Sequence, residues 1–193
     1  MRKIFLLTLC LILWSIYPSA EEFVDYGKVS LAHNIFNFHI VAPNVMRGSQ
    51  PPEEAFRMLK NHYNVKTILN LRDDKQHNER EREVVEKLGM NFINIPMNGS
   101  KKQSIEKIEK CLSIINNESN KPIFVHCQAG KDRTGLIFAA YRIKYDNWSF
   151  KDAFTEMLAY GYDRVRCFNL EKSLIEWNNW RESHSKLISV THT

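Results

Sequence analysis

The sequence has few cysteines, and their spacing excludes the usual cysteine scaffolds. After the first twenty residues only Cys111, Cys127 and Cys167 remain, an odd number without a Cys-x-x-Cys pair. His33 and His39 have no neighbour at metal-ligand spacing either. Nothing therefore predicts a disulfide framework, a structural zinc site or any other metal or cofactor, and a free cysteine needs another explanation.

The chain also lacks a strong excess of charge. Its formal net charge is +5, and if residues 1–20 are removed, 25 of the 27 basic side chains remain against 22 acidic ones. Nucleic-acid binding needs a clustered basic face. The balance therefore argues against a nucleic-acid partner, and any role for charge in binding should be local.

No apolar run is long enough to cross a membrane. Residues 4–16 are apolar apart from Thr8 and Ser15, which is shorter than the ~20 residues that a spanning helix requires. A basic start precedes this run, and Ala20 follows it just before two glutamates. Residues 1–20 are therefore predicted to be a cleaved secretory signal, which implies export to a periplasm or the medium. The alternative is a membrane anchor formed by residues 4–16.

The remainder shows no internal repeat, linker or second-domain boundary, so 193 residues fit one domain. We place this domain at residues 45–185, after an irregular N-terminal segment at 21–44. Short apolar runs alternate with helix-like segments throughout it. This alternation predicts an α/β fold with a central, mostly parallel sheet flanked by helices.

Periodicity and helix-terminating residues locate the individual elements. Helices are predicted over 53–63, 78–87, about 105–115, 136–141, 149–160 and 169–184. Strands are predicted near 45–47 and over 65–71, 90–96 and 123–125. We interpret the charged run 78–87 as a solvated helix face. The continuous apolar run at 123–125 is typical of a strand buried on both faces.

One stretch carries the chemistry, and its sequence is His-Cys-Gln-Ala-Gly-Lys-Asp-Arg-Thr-Gly at 126–135. It lies where a buried strand is predicted to end and a central helix to begin, which is the edge at which α/β sheets bind ligands. The helix dipole and unpaired N–H groups favour an anion there. We expect Cys127 to be a thiolate in this setting. Arg133 offers a planar fork that suits two phosphate oxygens.

This stretch resembles the signature loop of the cysteine-dependent protein tyrosine phosphatase superfamily, in particular its compact atypical dual-specificity branch of bacterial and fungal type. The shared pattern is His-Cys-x-x-Gly-x-x-Arg-Thr-Gly, and the resemblance extends from about Val45 to Tyr160. It implies hydrolysis of phosphomonoesters through a cysteinyl-phosphate formed on Cys127, without a metal. Arg133 would hold the phosphoryl oxygens.

The resemblance assigns further roles within the loop. Thr134 would hydrogen-bond the thiolate, and His126 would tune its environment through the strand end. The backbone N–H groups from Gln128 to Arg133 would bind the phosphoryl oxygens. They include the N–H groups of Ala129, Gly130 and Lys131.

One feature departs from the family pattern. Members usually supply an aspartate as general acid from a loop over the site, but the corresponding segment 96–103 contains no carboxylate. We favour Asp132, by its likeness to the proposed proton donor of myotubularin-type lipid phosphatases. The alternatives are that Asp132 only braces the loop, and that Asp73, Asp74 or Asp163 donates the proton.

The substrate stays open between phosphorylated proteins and phosphorylated inositols or lipids. Lys131 adds charge at the pocket floor, as in family members that act on phosphoinositides or inositol polyphosphates, but also in members that accept phosphotyrosine. Lys101 and Lys102 would add to a local basic pocket. We interpret the other nearby basic residues as solvated surface arginines, namely Arg72, Arg164 and Arg166. A tyrosine or dual-specificity phosphatase is the first choice, an inositol phosphatase the second, and a non-catalytic phosphate-binding pseudophosphatase the alternative from another class.

Overall fold

The structure is a computed structural model that describes the backbone of residues 34–190 and the side chains of residues 34–184. The predicted signal at 1–20 and residues 21–33 of the N-terminal segment lie outside this range. The strands are β1 (His39–Ala42), β2 (Val45–Gly48), β3 (Thr67–Asn70), β4 (Asn91–Asn94) and β5 (Ile123–His126). The helices are α1 (Glu53–Tyr63), α2 (Lys75–Lys87), α3 (Ile105–Asn116), α4 (Asp132–Tyr145), α5 (Phe150–Ala159) and α6 (Phe168–Val190), with a 3₁₀ turn at Glu118–Asn120.

The strands form one sheet in the order β1-β2-β5-β3-β4. Strand β5 lies at its centre and pairs in parallel with β2 and β3, and β3 pairs in parallel with β4. The apolar residues of β5 are fully buried, as a strand covered on both faces requires. The predicted single-domain α/β fold with a mostly parallel sheet is confirmed.

The predicted irregular segment at 21–44 is wrong for its last residues, because His39–Ala42 form β1 and pair antiparallel with β2. The two strands join through Pro43 and Asn44, and Asn44 adopts the left-handed φ of 62° that such tight turns use. An edge strand of four residues has no periodicity to reveal it. Its pairing with β2, rather than its own sequence, makes it a strand.

Helices cover both faces of the sheet and create two apolar cores. The larger core packs α3, α4, α5 and α6 against one face, and the smaller packs α1 and α2 against the other. Trp177 is fully buried in the larger core, and its Nε1 donates to Glu109 Oε1 at 2.8 Å. Trp180 is partly buried and packs against the same core, so both tryptophans serve packing.

Side-chain caps mark the starts of two helices. Ser149 caps α5 by accepting from the N–H of Asp152, and Asp74 caps α2 by accepting from His77. Helix α4 begins at Asp132, four positions before the predicted apolar run, because its first turn is made of polar residues of the signature stretch. Within residues 34–190, none of these helices combines the length and apolarity needed to cross a bilayer.

Candidate active site

The fold places Cys127 at the centre of one sheet edge. His126 is the last residue of β5, and α4 begins at Asp132, so Cys127 and the loop after it lie between a central strand and a helix N-terminus. Cys127 is only 2% exposed. The predicted location at the carboxyl end of a buried strand is confirmed, and the helix dipole favours an anion there.

The backbone of the loop is oriented by groups outside it. Gly130 has a φ of 68°, which the left-handed region allows for glycine, and its carbonyl accepts from Arg47 Nη2 at 2.8 Å. The Gln128 carbonyl accepts from the N–H of Gln50 at 3.1 Å. Among the described residues, no hydrogen bond uses the N–H groups from Gln128 to Arg133. These two carbonyls are thus bonded to residues outside the loop, and the N–H groups of the loop remain available to bind an anion.

Arg133 is anchored through one nitrogen only. Its Nη1 donates to Asp73 Oδ1 at 3.0 Å and to the Met97 carbonyl at 3.2 Å. The side chain is 13% exposed, whereas that of Asp73 is 41% exposed. The edge formed by Nε and Nη2 has no partner in the described part of the chain, and it can hold two oxygens of a phosphoryl group.

His126 connects the site to the protein interior. Its ring is fully buried, with Nδ1 at 3.0 Å from the Cys127 carbonyl and Nε2 at 2.8 Å from Glu81 Oε1. Glu81 is only 5% exposed. The interpretation of 78–87 as a solvated face is therefore wrong at Glu81, which turns inward because β5 offers it a buried polar partner.

Thr134 is buried, and its Oγ1 has no hydrogen-bond partner in the structure. The expected hydrogen bond to the Cys127 sulfur is thus not made in this geometry. The proposed role of Thr134 in releasing the thiolate stays a prediction.

The Asp132 carboxylate makes a contact that stabilises the structure around the loop. Its Oδ1 accepts from the N–H of Asp163 at 2.9 Å, which ties the first turn of α4 to the loop after α5. Burial raises the pKa of the nearby Cys167 thiol to about 11, and the negative charges of Asp132 and Asp163 add to this rise. These contacts support the bracing alternative for Asp132. Its role as proton donor stays untested.

The basic residues around the site contact other residues of the chain. Lys131 Nζ lies 5.2 Å from the centre of the Phe36 ring, and its chain packs against Gly161. Ion pairs engage three others, as Lys102 pairs with Glu176, Arg164 with Glu171 and Arg72 with Asp74. Arg72 is only 9% exposed, so its assignment as a solvated surface arginine is wrong.

Arg47 belongs to the site although its sequence position gave no chemical role. It is fully buried beneath the loop, 4.2 Å from the centre of the Tyr160 ring. Burial lowers its pKa to about 10, while negative charge at Tyr160, Glu156 and Cys127 acts in the opposite direction. In the sequence, the position of Arg47 within an apolar strand was the only sign that its side chain is buried. A buried cation near Cys127 stabilises negative charge on the sulfur.

Comparisons with known proteins agree with this geometry. The profile of the tyrosine phosphatase family matches residues 34–189. The chain is 27% identical over 158 residues to the inositol diphosphatase SIW14 of Saccharomyces cerevisiae, covering 75% of this chain and 56% of the yeast protein. It is 28% identical over 163 residues to DG1060 of Dictyostelium discoideum, named a probable tyrosine-protein phosphatase, covering 77% of this chain and 95% of that protein.

Solved structures show the same fold. The core catalytic domain of the S. cerevisiae PP-IP phosphatase SIW14, in complex with citrate, superposes with a TM-score of 0.63 at 27% identity, over 76% of this chain and 94% of that one. TpbA of Pseudomonas aeruginosa superposes with a TM-score of 0.63 at 21% identity, over 73% of this chain and 84% of that one.

Proposed function

Since this chain belongs to the tyrosine phosphatase family, we propose that it hydrolyses phosphomonoesters, with Cys127 as the nucleophile and Arg133 as the clamp on the phosphoryl oxygens. One observation carries the proposal. The buried Cys127 lies beneath a loop whose N–H groups have no partner among the described residues. Donors in this arrangement stabilise the charge that develops on a transferring phosphoryl group.

The reaction has two steps. The Cys127 thiolate attacks phosphorus, an S–P bond forms, and the P–O bond to the leaving group breaks as a carboxylic acid gives its proton to that oxygen. Water then attacks phosphorus and loses a proton to the same carboxylate. The S–P bond breaks, inorganic phosphate leaves, and the thiolate is restored. Arg133 holds the equatorial oxygens in both steps.

We assign the proton donor to Asp73 rather than Asp132. Asp73 is bonded to the guanidinium that would hold the phosphoryl group, and its side chain is 41% exposed, so it remains accessible to a leaving group on the solvent side. The Asp132 carboxylate already accepts from the Asp163 N–H. A general acid must come within hydrogen-bond reach of the leaving oxygen, and the 3.0 Å contact places Asp73 beside the guanidinium that would hold the phosphoryl oxygens.

Phosphotyrosine or dual-specificity activity on proteins is the first substrate proposal. The second is an inositol phosphate or pyrophosphate, and it is favoured by the SIW14 relative and by Lys131 in the loop. The ion pairs of Lys102 and Arg164 leave fewer free cations around the site, which weighs against a highly charged substrate.

Turnover of p-nitrophenyl phosphate by reduced protein, in the presence of a chelator, tests the proposal. We expect activity that vanadate inhibits, that Cys127→Ser abolishes and that Cys111→Ala retains, because Cys111 is a buried thiol in α3. Tight vanadate binding without turnover would instead identify a phosphate-binding pseudophosphatase.

A substrate panel then separates the two substrate proposals. Lys131→Met should raise KM for an inositol pyrophosphate much more than KM for a phosphotyrosine peptide if the inositol compound is the natural substrate. Equal effects on both would favour the phosphoprotein.

We also propose that the protein is exported. Support comes from the basic start, the apolar residues 4–16 and Ala20 before two glutamates. N-terminal sequencing of the protein from an exporting host should begin at Glu21. An intact N-terminus in the membrane fraction would favour the anchor.

A further inference from the structure

Glu81 is a buried carboxylate that joins the ends of the three central strands. Its Oε1 lies 2.8 Å from His126 Nε2, and His126 ends β5. Its Oε2 accepts from Asn70 Nδ2 at 2.9 Å and from Gln50 Nε2 at 2.5 Å. Asn70 ends β3, and Gln50 follows β2. A single side chain from α2 thus holds the sheet edge from which the signature loop departs.

The hydrogen bonds determine where protons lie on His126. The Cys127 carbonyl can only accept, so Nδ1 of the ring must carry a hydrogen. Glu81 Oε2 accepts from two amide donors, so Oε1 is the oxygen left to face His126. Nε2 then also donates, to Oε1. Both ring nitrogens of His126 are therefore engaged, Nδ1 with the Cys127 carbonyl and Nε2 with Glu81.

Stability alone gives little reason for this pair. Burying two opposite charges is often no better for stability than burying apolar groups of similar volume. Here the pair lies against the strand end that carries the nucleophile. Gln50 connects it to Arg72, and Arg47 bonds to the Gly130 carbonyl of the same loop. The pair is therefore placed to act on Cys127.

We propose that Glu81 is a positioning residue that keeps His126 protonated and oriented, and thereby keeps Cys127 in the thiolate form. In catalysis the role rests on the proposed phosphatase function, but its effect on the thiolate can be measured without turnover. Glu81 acts through His126, and the substrate never touches it.

The variant Glu81→Gln isolates the charge. Its amide offers one oxygen where the carboxylate offers two, so it cannot accept from His126 on one side and from Asn70 and Gln50 on the other. The imidazole should lose a proton. Glu83→Gln is the matched control, because Glu83 lies on the same helix and is exposed.

The readout is the alkylation rate of Cys127 by iodoacetamide near pH 6, with the modified peptide identified by mass spectrometry. If His126 loses its positive charge, the thiolate fraction of Cys127, and so the alkylation rate, should fall about tenfold or more in Glu81→Gln. Glu83→Gln should react like the parent. Phosphatase activity at the same pH should fall with the alkylation rate.

A double variant distinguishes a role through His126 from general loosening of the site. His126→Asn alone should slow alkylation about as much as Glu81→Gln, and adding Glu81→Gln to it should change the rate little further. If Glu81→Gln alkylates like the parent, or if the two losses multiply in the double variant, the proposal is overturned.

Misfolding of Glu81→Gln and an inactive parent protein would both still give a clear result. If Glu81→Gln does not fold, as judged by circular dichroism, His126→Asn still tests the proposal, since a parental alkylation rate in that variant would refute it. If the parent hydrolyses no phosphomonoester but Glu81→Gln still slows alkylation, the positioning role stands and the proposed phosphatase function fails.

Discussion

Replacing Gly130 by alanine should disable the signature loop. Gly130 has a φ of 68°, and a Cβ there would lie 2.5 Å from the Gly48 carbonyl carbon, 2.6 Å from its oxygen and 2.7 Å from the Ser49 nitrogen. All three are backbone atoms at the end of β2 or directly after it, and β2 is held by pairing with β5. They cannot rotate away as the end of a side chain could, so the loop itself must move.

The expected cost has two parts. A left-handed conformation costs a residue with a Cβ roughly 1–2 kcal/mol, and overpacking against a fixed neighbour adds about 1–3 kcal/mol, giving about 2–5 kcal/mol in all. A displacement of about 1 Å at a positioned catalytic group can lower the rate about 100-fold. Gly130→Ala should therefore lose both stability and nearly all phosphatase activity.

Gly89→Ala is the matched control. Gly89 has a φ of 70° at the end of α2, but a Cβ there would meet nothing within 4 Å. This variant should lose only the conformational part, roughly 1–2 kcal/mol, and keep parental activity. Urea unfolding and p-nitrophenyl phosphate turnover measure both effects. Equal losses of stability in the two variants, or full activity of Gly130→Ala, would refute the reasoning.

Two further predictions concern protons at the site. Asp73→Asn should slow an alkyl phosphate far more than an aryl phosphate with a good leaving group, whereas Asp132→Asn should slow both to a similar extent; the reverse pattern would return the proton donor to Asp132. Burial raises the pKa of Cys111 to about 12 and that of Cys167 to about 11, so both stay thiols at pH 8. Iodoacetamide at that pH should modify Cys127 before either of them, and preferential labelling of Cys167 would contradict a thiolate at Cys127.

The signature loop could be predicted from sequence because it is contiguous. The cysteine, the glycine and the arginine lie within seven positions, between an apolar strand and a helix, and local patterns reveal all three. Helix boundaries set by local caps, such as Ser149 before α5, could be predicted for the same reason.

Asp73 was already a candidate proton donor, but its contact with Arg133 and the roles of Arg47 and Glu81 could not be predicted. These residues reach the loop from distant parts of the chain. Arg47 is 83 positions from Gly130, Glu81 is 45 positions from His126, and Asp73 is 60 positions from Arg133. In the sequence Glu81 is one glutamate in a charged run, and only its burial identifies it. Strand β1 escaped prediction for the same reason, since its partner strand creates it.

The most direct test of the account is to trap the intermediate. Reduced protein mixed with excess p-nitrophenyl phosphate, quenched in acid within one turnover and digested, should yield a peptide that carries a phosphoryl group on Cys127. The Cys127→Ser variant has no sulfur at this position, so its digest should contain no thiophosphate adduct. A phosphoryl group on another residue, or turnover without any adduct on Cys127, would contradict the mechanism.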